Sequence, residues 1–320
     1  MTMQKIAIKE VSSLAQFIVE LTDLVPIPSV TTERYFRGEP EGCKEGAFKP
    51  SVYRKLSWLE NEPNYYREMQ RFNDQEFRDD KTTFDKLSRM QHYSAPTRLI
   101  DMSEDALSAL YFALRGAQLK TKEPEVGAVV YVIDVLSKNL RYYDSDAVSV
   151  VANLVKSPLS SSHSDDTQKN KQAIASDALK YRENIHDFNK QRSIHFLLHD
   201  IKEEKSYFSS IINPKHIFSV QCVKPKFTHS RINSQKGAFL LFGLNPDNIR
   251  ESICLIEKCE SDFYLNSNVV IQHPVERITK IVIKNDAISS MRKELESIGV
   301  KTPFIYPEMD KVAEYLKQLA

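Results

Sequence analysis

The chain has 320 residues, enough for one large domain or two smaller ones. Hydrophobic residues make up 41% and charged residues 27%, an ordinary globular balance that excludes wholesale disorder. Lys and Arg total 44 against 43 Asp and Glu, so neither a globally basic nucleic-acid coat nor an acidic interaction tail is expected. Only 8 glycines exclude a collagen or a Gly/Ser linker array. No apolar run approaches the roughly 18 residues of a membrane helix. The N-terminus carries Lys5 and Lys9 but no apolar core of signal-peptide length. Four cysteines, Cys43, Cys222, Cys254 and Cys259, form no C-x-x-C pair. Free thiols and a cytoplasmic location are expected.

In chain order, Leu14, Phe17, Ile18 and Leu21 predict an amphipathic helix over 11–24, ended by Pro26 and Pro28. Tyr35-Phe36-Arg37-Gly38 reads as a short strand breaking into a turn. Charged helices are expected over 64–80 and 82–91. The stretch 100–119 reads as a helix with Ser103 as its N-cap and Leu107, Leu110, Tyr111 and Leu114 on its apolar face. The β-branched run at 127–135 predicts a buried strand, with further strands at 216–223, 238–243, 252–257 and 277–284. Residues 157–171 are polar and serine-rich, an expected exposed loop, and 172–189 is a candidate helix. At the end, Asp286 would cap a helix closed by Gly299. Thr302 to Tyr306 would be a strand, and Pro307 would open a last helix with Met309, Val312, Leu316 and Leu319 inward. The sum is an α+β fold with a mixed, mostly antiparallel central sheet and flanking helices. It is expected as one domain over 1–320, with an N-terminal helical segment (1–30) and an inserted segment at about 140–205.

Three clusters concentrate chemistry. Arg37 offers a guanidinium fork for phosphate or carboxylate, with Gly38 giving close backbone access and Glu39 a nearby carboxylate. An ion-pair role is the plainer alternative. The block 91–101 packs His92, Tyr93, Thr97, Arg98 and Asp101 around Pro96. It predicts a rigid loop whose donors face an anion, or a buried polar turn in which Arg98 pairs with Asp101. The third cluster contains Arg231, Gln235 and Lys236. It lies in a stretch, 205–246, that has no Asp or Glu but holds Lys205, Lys215, Lys224 and Lys226 among interleaved aromatics. Such a strip suits an anionic partner, a dinucleotide or a nucleic acid. There is no G-x-G-x-x-G, P-loop, H-E-x-x-H or G-x-S-x-G. His195 and His199 stand i, i+4 without a third ligand, so no metal is expected.

At these clusters the chain resembles the FRG-domain family. Phe36-Arg37-Gly38 is similar to the motif that names it. Gln91-His92-Tyr93, Pro96-Thr97-Arg98-Leu99 and Asp101 resemble its second block, and Ala109-Leu110-Tyr111-Phe112-Ala113 resembles its continuation. Arg231-Ile232, Gln235, Gly237 and Phe239 resemble its third block, and Ile298-Gly299 followed by Tyr306-Pro307-Glu308-Met309-Asp310 its C-terminal signature. Ser94 stands where glycine is usual and Met102 where tryptophan is usual.

The order of motifs resembles, more weakly, that of ADP-ribosyltransferases. That resemblance implies NAD as substrate, with Arg37, Gly38, Tyr93, Thr97 and Arg98 binding it. It implies catalytic roles for His92, Asp101, Gln235 and Glu39, because Gly237 replaces the usual glutamate. It further implies a bacterial or phage toxin or anti-phage effector, with a protein, nucleic-acid or water acceptor and a linked antitoxin or regulator. Two other readings stand beside it. One is a non-catalytic nucleic-acid or nucleotide module using Lys224, Lys226, Arg231 and Lys236. The other is a protein-interaction domain without membrane contact.

Overall fold

The structure, a computed structural model, describes residues 7–27, 30–40, 48–117, 127–160, 169–227, 230–253, 255, 262–264 and 270–319. Among the described residues ten strands run in chain order: β1 (Ala7–Val11), β2 (Thr32–Glu39), β3 (Leu99–Ser103), β4 (Val129–Leu136), β5 (Leu140–Tyr142), β6 (Val220–Lys224), β7 (Gly237–Phe242), β8 (Asp262–Tyr264), β9 (Val270–Gln272) and β10 (Val275–Ile283). Eight of them form one sheet in the order β1-β10-β4-β2-β3-β7-β6-β5, while β8 and β9 pair separately. The sheet is mixed and mostly antiparallel, with parallel pairs only at its two edges, β1 with β10 and β5 with β6. The fold is α+β.

The centre of the sheet explains its sequence. All eight residues of β4 are buried. Val129, Tyr131, Ile133 and Val135 feed one core and Val130 and Val132 the other, so both faces are covered and no alternation appears. Helices Leu14–Thr22, Ala106–Gly116 and Ile288–Ser297 cover one face. Helices Thr83–His92, Asp146–Asn153, Lys171–Lys180 and Arg192–Glu204 cover the other. The segment expected as an insertion at about 140–205 thus shares its core with the sheet and supplies edge strand β5.

Several elements differ from expectation. Residues 99–103 form β3 rather than the first turn of a helix, because β3 pairs along its whole length with β7. The helix begins at Ala106, and Asp105 caps it by accepting from the Leu107 and Ser108 amides. Phe36-Arg37-Gly38 does not break into a turn; β2 continues to Glu39. Val11 belongs to β1 and not to the first helix. Thr302–Ile305 is a helical turn, not a strand. In the last helix, Met309–Leu319, Met309 and Leu316 point outward, 87% and 58% exposed. Of the strand expected at 252–257, Ser252 and Ile253 are not in a strand, and 254 and 256–257 lie outside the described residues. The polar stretch 157–171 is not uniformly exposed: Ser157, Asn170 and Lys171 are buried, and 161–168 lie outside the described residues.

Among the described residues no helix is long and apolar enough to cross a membrane. Cys222, on β6, is a free, buried thiol whose ionisation burial pushes well upward. It should resist alkylation at pH 8 and react only on unfolding. Peptide mapping of native and urea-treated samples checks this, and native labelling at Cys222 would contradict it.

Candidate functional site

The sheet forks between β2 and β3. Only Phe36 and Ser103 face each other in register, although β2 and β4 pair over eight positions. Continued antiparallel pairing would set Gly38 against Asp101. Instead the Arg37 side chain reaches across, and its Nη1 donates to the Asp101 carbonyl at 2.8 Å. Its Nε and Nη2 donate to Glu39 Oε1 at 2.8 and 2.5 Å. Burial alone would lower the guanidinium pKa, but Glu39 and Asp101 outweigh it and hold the group above its ordinary value. Arg37 is therefore a fixed cation at the fork.

A cleft of about 240 Å³ opens there. Arg37, Gly38, Asp101, Ser103, Phe112 and Gln235 are among its lining residues. They come from β2, β3, the Ala106–Gly116 helix and the end of the short helix Ser230–Gln235 before β7. Asp101 is exposed, and its Oδ2 accepts from Gln91 Nε2 at 3.1 Å. Gln91 is itself fixed, because its Oε1 accepts from Thr97 Oγ1 at 2.5 Å. Ser103 Oγ donates to the Gln235 carbonyl at 2.5 Å and accepts from the Asp105 amide at 2.9 Å. Gln235 Nε2 donates to the Ile305 carbonyl at 3.1 Å, which ties the cleft to the C-terminal segment.

Four of the expected site residues, Arg37, Gly38, Asp101 and Gln235, thus meet in one cleft, and Glu39 braces Arg37. The others lie elsewhere. Arg98 is fully buried and ion-paired to Glu62 (2.9 and 2.5 Å), so it is a core residue and not a ligand contact. It does not pair with Asp101. Thr97 is also fully buried and acts on Gln91. Tyr93 is 57% exposed with its hydroxyl 3.5 Å from Glu76, outside the cleft lining. His92 ends the Thr83–His92 helix, with Nε2 3.3 Å from Glu308 Oε1. It joins this helix to the C-terminal segment and is not among the cleft's lining residues. Gly38 does not give a ligand backbone access in the expected way: a Cβ there would lie 1.8 Å from the Ala109 carbonyl oxygen, so its missing side chain admits the neighbouring helix.

Sequence reasoning did not single out Gln91 and Ser103 as site residues. Gln91 was legible only as a polar residue in a dense block, and Ser103 was hidden by its resemblance to an N-cap. Ser94 has φ 60° and turns the chain out of the helix.

Three lysines of the basic strip are paired by the fold. Lys224 pairs with Glu33 at 2.5 Å, Lys226 with Asp85 at 3.3 Å and buried Lys205 with Asp146 at 2.5 Å. These acids come from outside 205–246, so no free cationic stripe forms from them. Lys236 is exposed, with φ 46°. The Arg231 side chain lies outside the described residues. Phe208, Phe218, Phe239 and Phe242 are core, whereas Tyr207 and Phe227 are exposed. Among the described residues no group of three or more His, Cys, Asp or Glu could hold a metal ion.

No curated protein and no solved structure matches the chain. The family model described as FRG domain matches residues 32–122, a span from β2 to just beyond the Ala106–Gly116 helix that holds Arg37, Gln91 and Asp101. Over that span the chain is similar to the FRG-domain family.

Proposed function

We propose that the cleft at the β2–β3 fork binds NAD and cleaves its nicotinamide bond, transferring ADP-ribose to an acceptor. The observation that supports this most is the convergence of Arg37, Asp101 and Gln235 from three separate sequence blocks on one cleft. Arg37 would hold the pyrophosphate, since a guanidinium presents a fork matched to phosphate oxygens. The cleft volume suits one nucleotide half, with the other half along the open mouth.

Asp101 is the carboxylate best placed for the chemistry. Glu39 is engaged twice by Arg37, whereas Asp101 is exposed at the cleft and oriented by Gln91. As the C1′–nicotinamide bond breaks, positive charge develops on the ribose, and a fixed carboxylate stabilises it. The nicotinamide leaves with the bonding electron pair. The acceptor's oxygen or nitrogen then bonds C1′, and its proton passes to Asp101 and on to water. Gln235 would position a ribose hydroxyl. His92 would hold the C-terminal wall through Glu308. The ion pairs at Lys224 and Lys226 weigh against the nucleic-acid reading of the basic strip.

The test is calorimetric titration with NAD, with released nicotinamide measured on the same samples. The wild-type chain is expected to bind and release nicotinamide, and Arg37→Ala to lose binding. Asp101→Asn should keep binding within a few-fold and lose turnover by about 100-fold. Absence of both binding and nicotinamide release, or turnover unchanged in Arg37→Ala, would overturn the reading.

A further inference from the structure

A second pocket, of about 310 Å³, lies between the helices Ala106–Gly116, Ile288–Ser297 and Met309–Leu319. The Ala106–Gly116 helix separates it from the fork: Ala109 and Phe112 line the cleft, whereas Tyr111, Leu114 and Arg115 line this pocket. Arg115, Arg292 and Lys311 face it, against Glu296 and Glu314, which leaves one positive charge in excess.

The carboxylates do not use the guanidinium groups. Glu314 is taken by Lys311 at 3.0 Å. Among the described residues neither Arg115 nor Arg292 has a carboxylate partner. Arg115 lies over the Tyr306 ring, 4.7 Å from its centroid, and so stays at the pocket mouth. Arg292 Nη2 donates to the Leu114 carbonyl at 2.5 Å, which fixes its plane. Its Nε is buried without any partner. A buried charged donor left unpaired is costly, and an anion's oxygen would satisfy it.

From this geometry we infer that the pocket is a binding site for a small phosphomonoester. Two arginines without carboxylates favour a doubly charged phosphate over a single carboxylate. Tyr111 and Tyr315 give the pocket apolar walls for a ring. The volume is at the lower end for small-molecule sites, about the size of a nucleoside monophosphate.

The test uses AMP as probe, with inorganic phosphate as competitor and adenosine as control, on the full chain. AMP should bind and inorganic phosphate should displace it, while adenosine gives no signal. Arg115→Gln/Arg292→Gln should weaken AMP at least about tenfold. If the double variant fails to fold, Arg115→Gln, an exposed residue, should still weaken AMP several-fold. Arg37→Ala should keep the AMP site that the arginine variants weaken, whatever becomes of the NAD reading. No saturable binding of AMP or phosphate would overturn the inference. So would AMP binding lost in Arg37→Ala but kept in the arginine variants, or succinate binding more tightly than phosphate.

Discussion

Glu62→Gln is expected to destabilise the protein by about 3–5 kcal/mol, close to the whole stability of an ordinary domain. Glu62 is 1% exposed, and it neutralises two buried cations at once, Arg98 at 2.5 Å and Lys171 at 3.0 Å, both 0% exposed. Arg98 also donates to the Phe242 carbonyl at 3.0 Å, so it cannot swing to solvent without breaking β7 contacts. Burial pushes the Glu62 carboxyl upward, but Arg98 and Lys171 together outweigh it and hold the group below its ordinary value. Removing that one charge leaves two cations facing each other in the core. The urea midpoint of Glu62→Gln against wild type measures the effect. A loss below about 1 kcal/mol would mean that water reaches the triad.

The same triad gives a contrast with a defined sign. Burial pulls the Lys171 ammonium down to about 8, with Glu62 opposing and Arg98 adding repulsion. An unfolded lysine titrates near 10.4. Below pH 8 both states carry the proton and the folded chain bears the full penalty. Between about 8 and 10.4 the unfolded chain holds more protons, so this group's contribution to stability rises with pH. Lys171→Met leaves a balanced Glu62–Arg98 pair and should cost less than about 2 kcal/mol at pH 7. Buried Tyr35, Tyr53 and Cys222, whose ionisations burial raises, push the opposite way at high pH in both proteins. The difference between wild type and Lys171→Met therefore isolates the lysine. It should move in favour of wild type from pH 7 to 9.5, and parallel stability curves would contradict the assignment.

What sequence could show depended on whether the signal was local. β4 was legible because a β-branched run buried on both faces is its own signature. The Leu14–Thr22 helix was legible from its apolar spacing, and Thr83–His92 as a charged helix over 82–91, whereas their caps, Ser13 and Thr82, emerge only in the structure. β3 was not, because Leu99–Ser103 is a strand through its pairing with β7, more than a hundred residues away. The site divides in the same way. Arg37, Asp101 and Gln235 stood out as polar residues in dense blocks, and they do converge. Arg98 stood out equally, yet its partner Glu62 lies in a helix no motif marks. Three lysines of the basic strip show the same limit: charge counted along the chain omits Glu33, Asp85 and Asp146, the acids that folding brings to Lys224, Lys226 and Lys205.

Gly38→Ala carries the second large expected effect, and it separates what the three motif residues do. Phe36 and Gly38 face the Ala106–Gly116 helix, and Phe36 is part of the core on that side. Arg37, between them, turns to the fork. A Cβ on Gly38 would meet the Ala109 carbonyl oxygen at 1.8 Å and the Ala113 amide nitrogen at 2.8 Å. Both atoms are backbone, so no rotamer change relieves the clash and trimming Ala109 would not help. Either β2 must bow away from β4, its partner over eight positions, or the helix must lift. The helix carries Ala109 and Phe112 in the cleft lining, so lifting it also reshapes the site. Overpacking of side chains costs about 1–3 kcal/mol; a backbone-to-backbone clash belongs at or above the top of that range. Gly38→Ala should therefore lose about 3 kcal/mol or more by urea unfolding, whereas Arg37→Ala, at the partly open fork, should lose about 1–2 kcal/mol at most. If the two proved equally stable, the helix would not be seated on β2 as closely as 1.8 Å implies. If the order holds, the motif is a structural pair around one functional arginine, and loss of ligand binding in Gly38→Ala reports a displaced helix rather than a lost contact.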